Sequence, residues 1–316
     1  MKKYLITGVC GFVAEYMVNC LKTHDPDCDI LGLARKDNPP QLDIHYQKVD
    51  LTEKDRVLNI VSTYQPDYII HLAAISSVAQ SWQTPDISFL NNTAGFLNLA
   101  ESVRANGLKT RILTVGSSEE YGRYQVAVNE DFNLYPKSPY SVAKVAQEYL
   151  SKLYVDQFDL DIVMTRSFNH IGPKQNIKFA IPSFINQLIA ISEGKSENII
   201  KVGNIEVVRD FMDVRDTVEA YWHILHKGKK RAVYNVCSGN GIKLRDIIEI
   251  AGKELGVSPN IIVDKAKLRA NEIPYIVGDN LRLKTELGWE PLFTLNDTIS
   301  DIIKYIKTTH NSLGDL

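Results

Sequence analysis

Cysteine is scarce in this chain. The four present, Cys10, Cys20, Cys28 and Cys237, never stand at Cys-x-x-Cys spacing. That argues against a disulfide framework and points to reduced thiols in a cytosolic protein. Histidine and cysteine nowhere cluster at ligand spacing, so no metal is expected. Long apolar runs are missing as well. No stretch approaches the ~20 residues of a membrane-spanning helix. The apolar start Tyr4-Leu-Ile runs straight into Gly8 and is too short for a secretion signal. Neither charge dominates. The 36 Lys and Arg stand against 38 Asp and Glu, a net charge of −2. This removes any general attraction to nucleic acid or an anionic membrane, while a local basic pocket for a small anion stays open. Internal repeats and low-complexity segments are absent too.

What is present is a chain of 316 residues, 44% hydrophobic and 23% charged. Both fractions are near the globular average, so a folded core is expected. Its size suits one large core or two domains sharing a cleft. Short apolar runs at Tyr4–Thr7, Ile30–Ala34, Tyr46–Val49, Tyr68–Leu72, Arg111–Val115 and Asp161–Thr165 read as strands. Helical spacing fills the gaps at 12–21, 52–64, 91–106 and 139–158, with Thr52 as an N-cap and Gly107 as a stop. Near-continuous apolar strands alternating with helices imply a parallel sheet covered on both faces. The expected fold is therefore α/β, a doubly wound, Rossmann-like parallel sheet with a smaller C-terminal lobe. The first unit is read as 1–166, joined by a strand near 232–237 that returns to the sheet. Residues 167–316 form most of the second, with strands at 199–202 and helices near 244–255 and 295–306.

Gly8-Val-Cys-Gly11-Phe-Val-Ala14 sits between the first strand and the first helix. Glycines there permit a tight turn and close backbone approach. A pyrophosphate can then lie at the helix N-terminus, where the free N–H groups around Phe12 and Val13 favour anions. At the end of the second strand a site preferring NAD usually has an acid, but here the chain reads Ala34-Arg35-Lys36. Two cations suit a 2′-phosphate, so NADP(H) is favoured, with NAD(H) as the alternative. Asp50 is placed to bond the adenine amino group. His71-Leu72-Ala73-Ala74 ends the fourth strand where the nicotinamide ribose passes.

Tyr140-Ser-Val-Ala-Lys144 places a phenol and an ammonium one helical turn apart on one face. An ordinary tyrosine titrates near 10, and a nearby cation favours its phenolate. Lowering it by three units takes roughly 4 kcal/mol, which needs a partly desolvated site. Ser117, just after the fifth strand, stands at the sheet edge where such folds bind ligands and can hydrogen-bond the same substrate oxygen.

Gly8-x-x-Gly11-x-x-Ala14, Asp50-Leu51, His71-Leu-Ala-Ala, Asn92-x-x-Gly95, Gly116-Ser-Ser-Glu-Glu-Tyr-Gly122 and Tyr140-x-x-x-Lys144 follow one another in an order that resembles the extended short-chain dehydrogenase/reductase family. By that resemblance Ser117, Tyr140 and Lys144 are the catalytic triad. Leu51, Leu72, Ala73 and Ala74 line the cofactor, along with Tyr140 and Lys144 themselves. Arg166-Ser-Phe-Asn-His-Ile-Gly-Pro173, Val208-Arg-Asp-Phe-Met-Asp-Val214, Tyr234-Asn-Val-Cys-Ser-Gly239 and Leu268-Arg-Ala-Asn-Glu272 look like the branch acting on GDP-activated 6-deoxyhexoses. The resemblance then implies that Ser118 and Asn169 contact sugar or phosphate. It puts Arg209 on the diphosphate, and Arg269 and Glu272 on ribose and guanine. A fork-shaped arginine suits phosphate, and a carboxylate can accept both guanine N–H donors. The implied reaction is NADPH-dependent reduction of a C4 ketone on a GDP-4-keto-6-deoxyhexose. Two departures stand out: Ala14 replaces the third glycine, and Lys174 follows Pro173 where the branch more often has glycine.

Other readings stay open. Ser117-Ser118-Glu119 is similar to the catalytic stretch of nucleotide-sugar dehydratases of the same family, in which Glu119 would take the C5 proton. An epimerase, or a redox-sensing module without chemistry, shares the fold. The 91–106 and 139–158 helices resemble those that form a homodimer interface in the family, with Val142, Val145, Tyr149 and Leu153 as candidates for the shared face.

Overall fold

The computed structural model describes residues 1–37, 41–268 and 272–314. In the first half, strands and helices alternate. The order is β1 (Lys3–Thr7), α1 (Phe12–His24), β2 (Asp29–Ala34), β3 (His45–Lys48), α2 (Lys54–Tyr64) and β4 (Tyr68–His71). Then come α3 (Val78–Gln83), α4 (Pro85–Ala105), β5 (Arg111–Ser117), α5 (Pro139–Phe158) and β6 (Asp161–Ser167). The second half continues with β7 (Asn169–Ile171), α6 (Ala180–Ser192), β8 (Ile199–Val202), β9 (Val208–Asp213), α7 (Val214–Lys227) and β10 (Val233–Val236). It ends with β11 (Gly241–Lys243), α8 (Leu244–Leu255), β12 (Asn260–Val263), β13 (Tyr275–Ile276), α9 (Leu281–Leu287) and α10 (Leu295–Gly314).

Seven strands form the main sheet in the order β10-β6-β5-β4-β1-β2-β3. Every pairing in it is parallel. Alternation along β1 shows why: Tyr4 and Ile6 join Met17, Leu21 and Tyr221 on one face, under α1 and α7. Leu5 faces the other way, with Leu33, Ile69, Phe96 and Ile162, under α2, α4 and α5. Such two-sided burial is what period-2 side-chain placement gives a central parallel strand. The order reverses between β1 and β4, the crevice where open α/β sheets bind ligands. A separate core lies in the second half, where Ile185, Leu188, Ile200, Ile247, Ile299 and Ile302 bring α6, α8 and α10 together over β8 and β12.

Local signals set most helix ends. Pro139 opens α5 behind Ser138, whose hydroxyl accepts from the Ser141 N–H in a reciprocal cap. Gly107, at φ +59°, follows α4 and its N–H donates to the Arg104 carbonyl. Two sequence expectations need correction. Thr52 is not an N-cap: Glu53 precedes α2, and the N–H and hydroxyl of Thr52 both donate to Asp50. The fourth helix begins at Pro85, not Asn91, because a proline at the first helical position needs no N–H partner.

Candidate active site

The turn after β1 is built for close approach. Gly8 has φ +73°, and a Cβ there would lie 2.9 Å from the backbone N of Ala73. Gly11 opens α1 with no side-chain cap, so the first-turn N–H groups at Phe12 and Val13 keep no side-chain partner from the cap position. A Cβ at Gly11 would meet only the Gly8 carbonyl, at 3.0 Å, and otherwise open space. Ala14 is buried beneath the turn. These features fit a dinucleotide pyrophosphate. Leu72, Ala73 and Ala74 follow β4 across the crevice. The loop they start is pinned by Asn92, fully buried, which accepts from the Ile75 N–H at 2.8 Å and donates to its carbonyl at 3.2 Å.

Arg35 projects from the end of β2 with 60% of its side chain exposed, 3.8 Å from the Asp50 carboxylate. Its guanidinium donates to the Asn91 amide at 3.2 Å. Asn91 is a neighbour that the sequence reading missed. Burial pushes the Asp50 carboxyl up, but the two hydrogen bonds from Thr52 and the Arg35 charge bring it below its ordinary range. Leu51 packs under Gly95, where a Cβ would lie 3.3 Å away. His71 is buried, and its Nδ1 lies 2.9 Å from the Thr7 hydroxyl, which in turn accepts from the Ala73 N–H. Burial, helped by the Lys144 charge, lowers its pKa to about 3, so this imidazole is neutral.

Tyr140 and Lys144 come from the first two turns of α5, and Ser117 from the C-terminal end of β5. All three are buried. The Ser117 side chain lies beside the Tyr140 phenol and favours its ionised form. Burial pushes that phenol above its usual range, and Glu120 and Glu119 add to the shift. The sequence reading expected Lys144 to bring the phenol down, and here the direction is the reverse. The Lys144 ammonium is directed at the Val115 carbonyl, 2.6 Å away, with Gln147 at 3.4 Å, and burial lowers its own pKa. A phenol held protonated is a proton donor.

After Ser117 the chain makes a single tight turn, Ser118–Glu120. Ser118 is buried and Glu119 half-buried, its charge felt at Tyr140. Glu120 has no exposure and turns back beneath Ser117. The sequence reading did not single it out, although Ser117-x-x-Glu120 has capping-box spacing.

The second half reaches this site through the segment after β6. The Phe12 and His170 rings stack at 6.3 Å, and the Tyr16 hydroxyl donates to the Pro173 carbonyl at 2.8 Å. Lys174 takes φ +69° and pairs with Glu15 on α1. That backbone is strained for lysine and would suit glycine. Asn169 donates weakly to the Asp210 carbonyl, at 3.4 Å. Arg209 is buried on β9 and donates to the Val208 carbonyl at 2.9 Å. Beside it Asp210 accepts from the N–H groups of Ser238, Gly239 and Gly278 and from the Ser238 hydroxyl. This carboxylate, which the sequence reading did not single out, ties β9 to two loops of the second half, those after β10 and β13. Glu272 is half-buried. Arg269 lies outside the described residues.

The family model for "GDP-mannose 4,6 dehydratase" matches residues 5–302. A GDP-6-deoxy-D-mannose reductase of Pseudomonas aeruginosa is 31% identical over 305 residues, 96% of each chain. A GDP-mannose 4,6-dehydratase of Yersinia enterocolitica is 26% identical over 350 residues, 96% of this chain and 93% of that one. Among solved structures, RMD from Pseudomonas aeruginosa complexed with NADPH superposes with a TM-score of 0.87 at 29% identity, covering 98% of this chain and 100% of that one.

Proposed function

The chain belongs to the GDP-mannose 4,6-dehydratase family, and from that premise we propose that it is an NADPH-dependent 4-ketoreductase. Its substrate is a GDP-4-keto-6-deoxyhexose and its product a GDP-6-deoxyhexose such as GDP-D-rhamnose. One observation carries the reading: the Ser117 hydroxyl meets a buried, protonated Tyr140 phenol at the open end of β5, one helical turn from Lys144. Ketone reduction requires a proton donor at the new alkoxide, and burial prepares Tyr140 for that role.

NADPH, when bound, supplies the hydride that goes to C4. Gly8, Gly11, Phe12 and Val13 hold its pyrophosphate, Arg35 its 2′-phosphate and Asp50 the adenine. Leu51, Leu72, Ala73 and Ala74 line its path. Ser117 donates a hydrogen bond to the C4 oxygen and polarises it. Tyr140 passes its phenolic proton to that oxygen as negative charge develops there. Lys144 presents a cation to the cofactor ribose and stabilises the phenolate left behind. Ser118, Asn169 and Arg209 contact sugar and diphosphate, with Arg269 and Glu272 toward ribose and base. In this reading 1–166 with β10 holds the cofactor, and 167–316 mainly holds the nucleotide sugar.

Glu119 favours a second reading, because a half-buried carboxylate beside Tyr140 is what a 4,6-dehydratase needs as a base. A panel of nucleotide sugars separates the two. The reductase consumes stoichiometric NADPH with GDP-4-keto-6-deoxy-D-mannose and leaves GDP-mannose untouched. Turnover of GDP-mannose with catalytic cofactor would establish the dehydratase instead.

Val142, Tyr149 and Leu153 are exposed along one face of α5, with Phe89 and Leu90 exposed on the neighbouring α4. Val145 is half-buried between them. An apolar face of this kind supports a homodimer. A monomeric mass by light scattering at micromolar concentration would reject it. No helix among the described residues is long and apolar enough to cross a membrane. A cytoplasmic setting follows from the reduced thiols and the substrate class.

A further inference from the structure

Directly beneath Ser117 lies a carboxyl group that the mechanism above does not use. Glu120 is fully buried, and its Oε1 accepts the Ser117 N–H at 2.6 Å while Ser117 Oγ accepts the Glu119 N–H at 3.2 Å. The tight turn is thus locked from both ends. The other oxygen, Oε2, is buried with no hydrogen-bond partner among the described residues. Room for the group is made by Gly116: a Cβ there would lie 2.5 Å from Oε1 and 2.4 Å from the Thr165 carbonyl. A buried carboxyl with an orphaned oxygen, admitted by a neighbouring glycine, is a costly arrangement for mere packing.

The groups that act on it come from two elements. From α5 these are Lys144, whose charge attracts it, and Glu148, whose charge repels it; the attracting Arg166 comes from β6. Tyr140, also on α5, feels the Glu120 charge. Burial disfavours the charged form of both Glu120 and Lys144: it pushes the Glu120 carboxyl up to about 8, so its negative charge develops only as pH rises through that region, and it lowers the pKa of Lys144. Once ionised, Glu120 is, among the described residues, the carboxylate whose charge favours the protonated Lys144. Arg166, in contrast, is already matched by Glu148 at 2.8 Å.

We propose that Glu120 is a positioning residue for the reaction: it fixes the Ser117 backbone from beneath and, at alkaline pH, sets a buried carboxylate against Lys144 that favours the ammonium. This rests on the ketoreductase reading of the same site. The two roles separate chemically. Glutamine keeps an oxygen that can accept the Ser117 N–H but removes the charge, whereas leucine removes both.

The test follows kcat/KM for the GDP-4-keto-6-deoxy-D-mannose reaction and the Kd of NADPH by fluorescence, from pH 6 to 9.5. Without the charge, Lys144 loses its proton at lower pH, and Tyr140 ionises earlier too. Both changes move the alkaline limb the same way. Glu120→Gln is therefore expected to shift that limb, in both readouts, about 1 pH unit toward acid, while activity at pH 6 stays within a few-fold of wild type. Glu120→Leu is expected to lose at least about tenfold in kcat at pH 6 as well, because Ser117 is released. Glu120→Gln profiles that coincide with wild type in a folded protein overturn the charge role. A Glu120→Leu enzyme with unchanged kcat at pH 6 overturns the anchoring role. If the leucine variant does not fold, the glutamine variant still decides the first. Tyr140→Phe runs in parallel: a fully active Tyr140→Phe enzyme defeats the ketoreductase reading, and an inactive one with an unaltered Glu120→Gln profile defeats this proposal alone.

Discussion

Replacing Arg166 with methionine asks how α5, the helix carrying Tyr140 and Lys144, is held on the sheet. Arg166 rises from β6 and grips Glu148 of α5 with two parallel hydrogen bonds of 2.8 Å each. Its third nitrogen donates to the Tyr121 hydroxyl at 2.9 Å and the Glu130 carbonyl at 3.1 Å. Both ion-pair side chains are nearly sealed, 4% and 3% exposed. Burial pushes the Glu148 carboxyl up, yet the hydrogen bonds and charge of Arg166 bring it below its ordinary range. Removing one partner of such a pair costs about 3–5 kcal/mol, mostly because the other charge is left buried. Lys152 lies 2.7 Å from Glu148 and remains as a partial substitute. Arg166→Met is therefore expected near the low end, about 3 kcal/mol, and Glu148→Leu near 4 kcal/mol, because it leaves the guanidinium with neutral partners only. The double variant buries no unpaired charge. It should cost at least about 2 kcal/mol less than the two single losses together. Urea unfolding followed by far-ultraviolet circular dichroism gives the three values. With an unfolding entropy of about 0.7 kcal/mol per kelvin for 316 residues, the Arg166→Met loss also lowers Tm by about 4–5 °C. Additive single losses would refute the reasoning, showing that the pair is not coupled and that α5 is held by apolar packing alone.

Tyr140→Phe removes one hydroxyl, the proton donor beside Ser117. We expect kcat/KM to fall by about 10²–10⁴-fold with NADPH binding nearly unchanged, so a normal rate of NADPH oxidation at 340 nm would remove the chemical basis of the assignment. Arg35→Ala should weaken NADPH by about tenfold, an exposed charge-assisted contact, and leave NADH alone; equal losses for both cofactors in a fluorescence titration would take Arg35 off the 2′-phosphate. His71, at about pKa 3 in the fold against 6.5 unfolded, makes the unfolded chain the better proton binder between those values. Stability from this group is complete above pH 6.5 and is lost as pH falls, at up to about 1.4 kcal/mol per pH unit. His71→Asn should flatten the urea-midpoint slope between pH 7 and 5, and parallel slopes for the two proteins would contradict it.

The sequence by itself determined the parts that rest on local geometry. Strand runs such as Tyr68–His71 and the Gly8–Ala14 turn obey short-range rules, because side-chain alternation and positive φ are properties of neighbouring residues. The Tyr140–Lys144 spacing is likewise one helical turn wherever the helix sits. Thr52 was misread because its side chain turns to Asp50, two residues back, instead of offering its oxygen to the first N–H groups of the helix. What only the tertiary structure decided is the electrical setting. Glu119 and Glu120 are adjacent and chemically alike, but one is half-buried at the site and the other sealed beneath Ser117. The direction of the Tyr140 shift, the contact of Lys144 with the Val115 carbonyl and the loops gathered around Asp210 all depend on residues 20 or more positions apart meeting in a dry interior. Charges there feel one another strongly and water weakly, and no linear pattern records that.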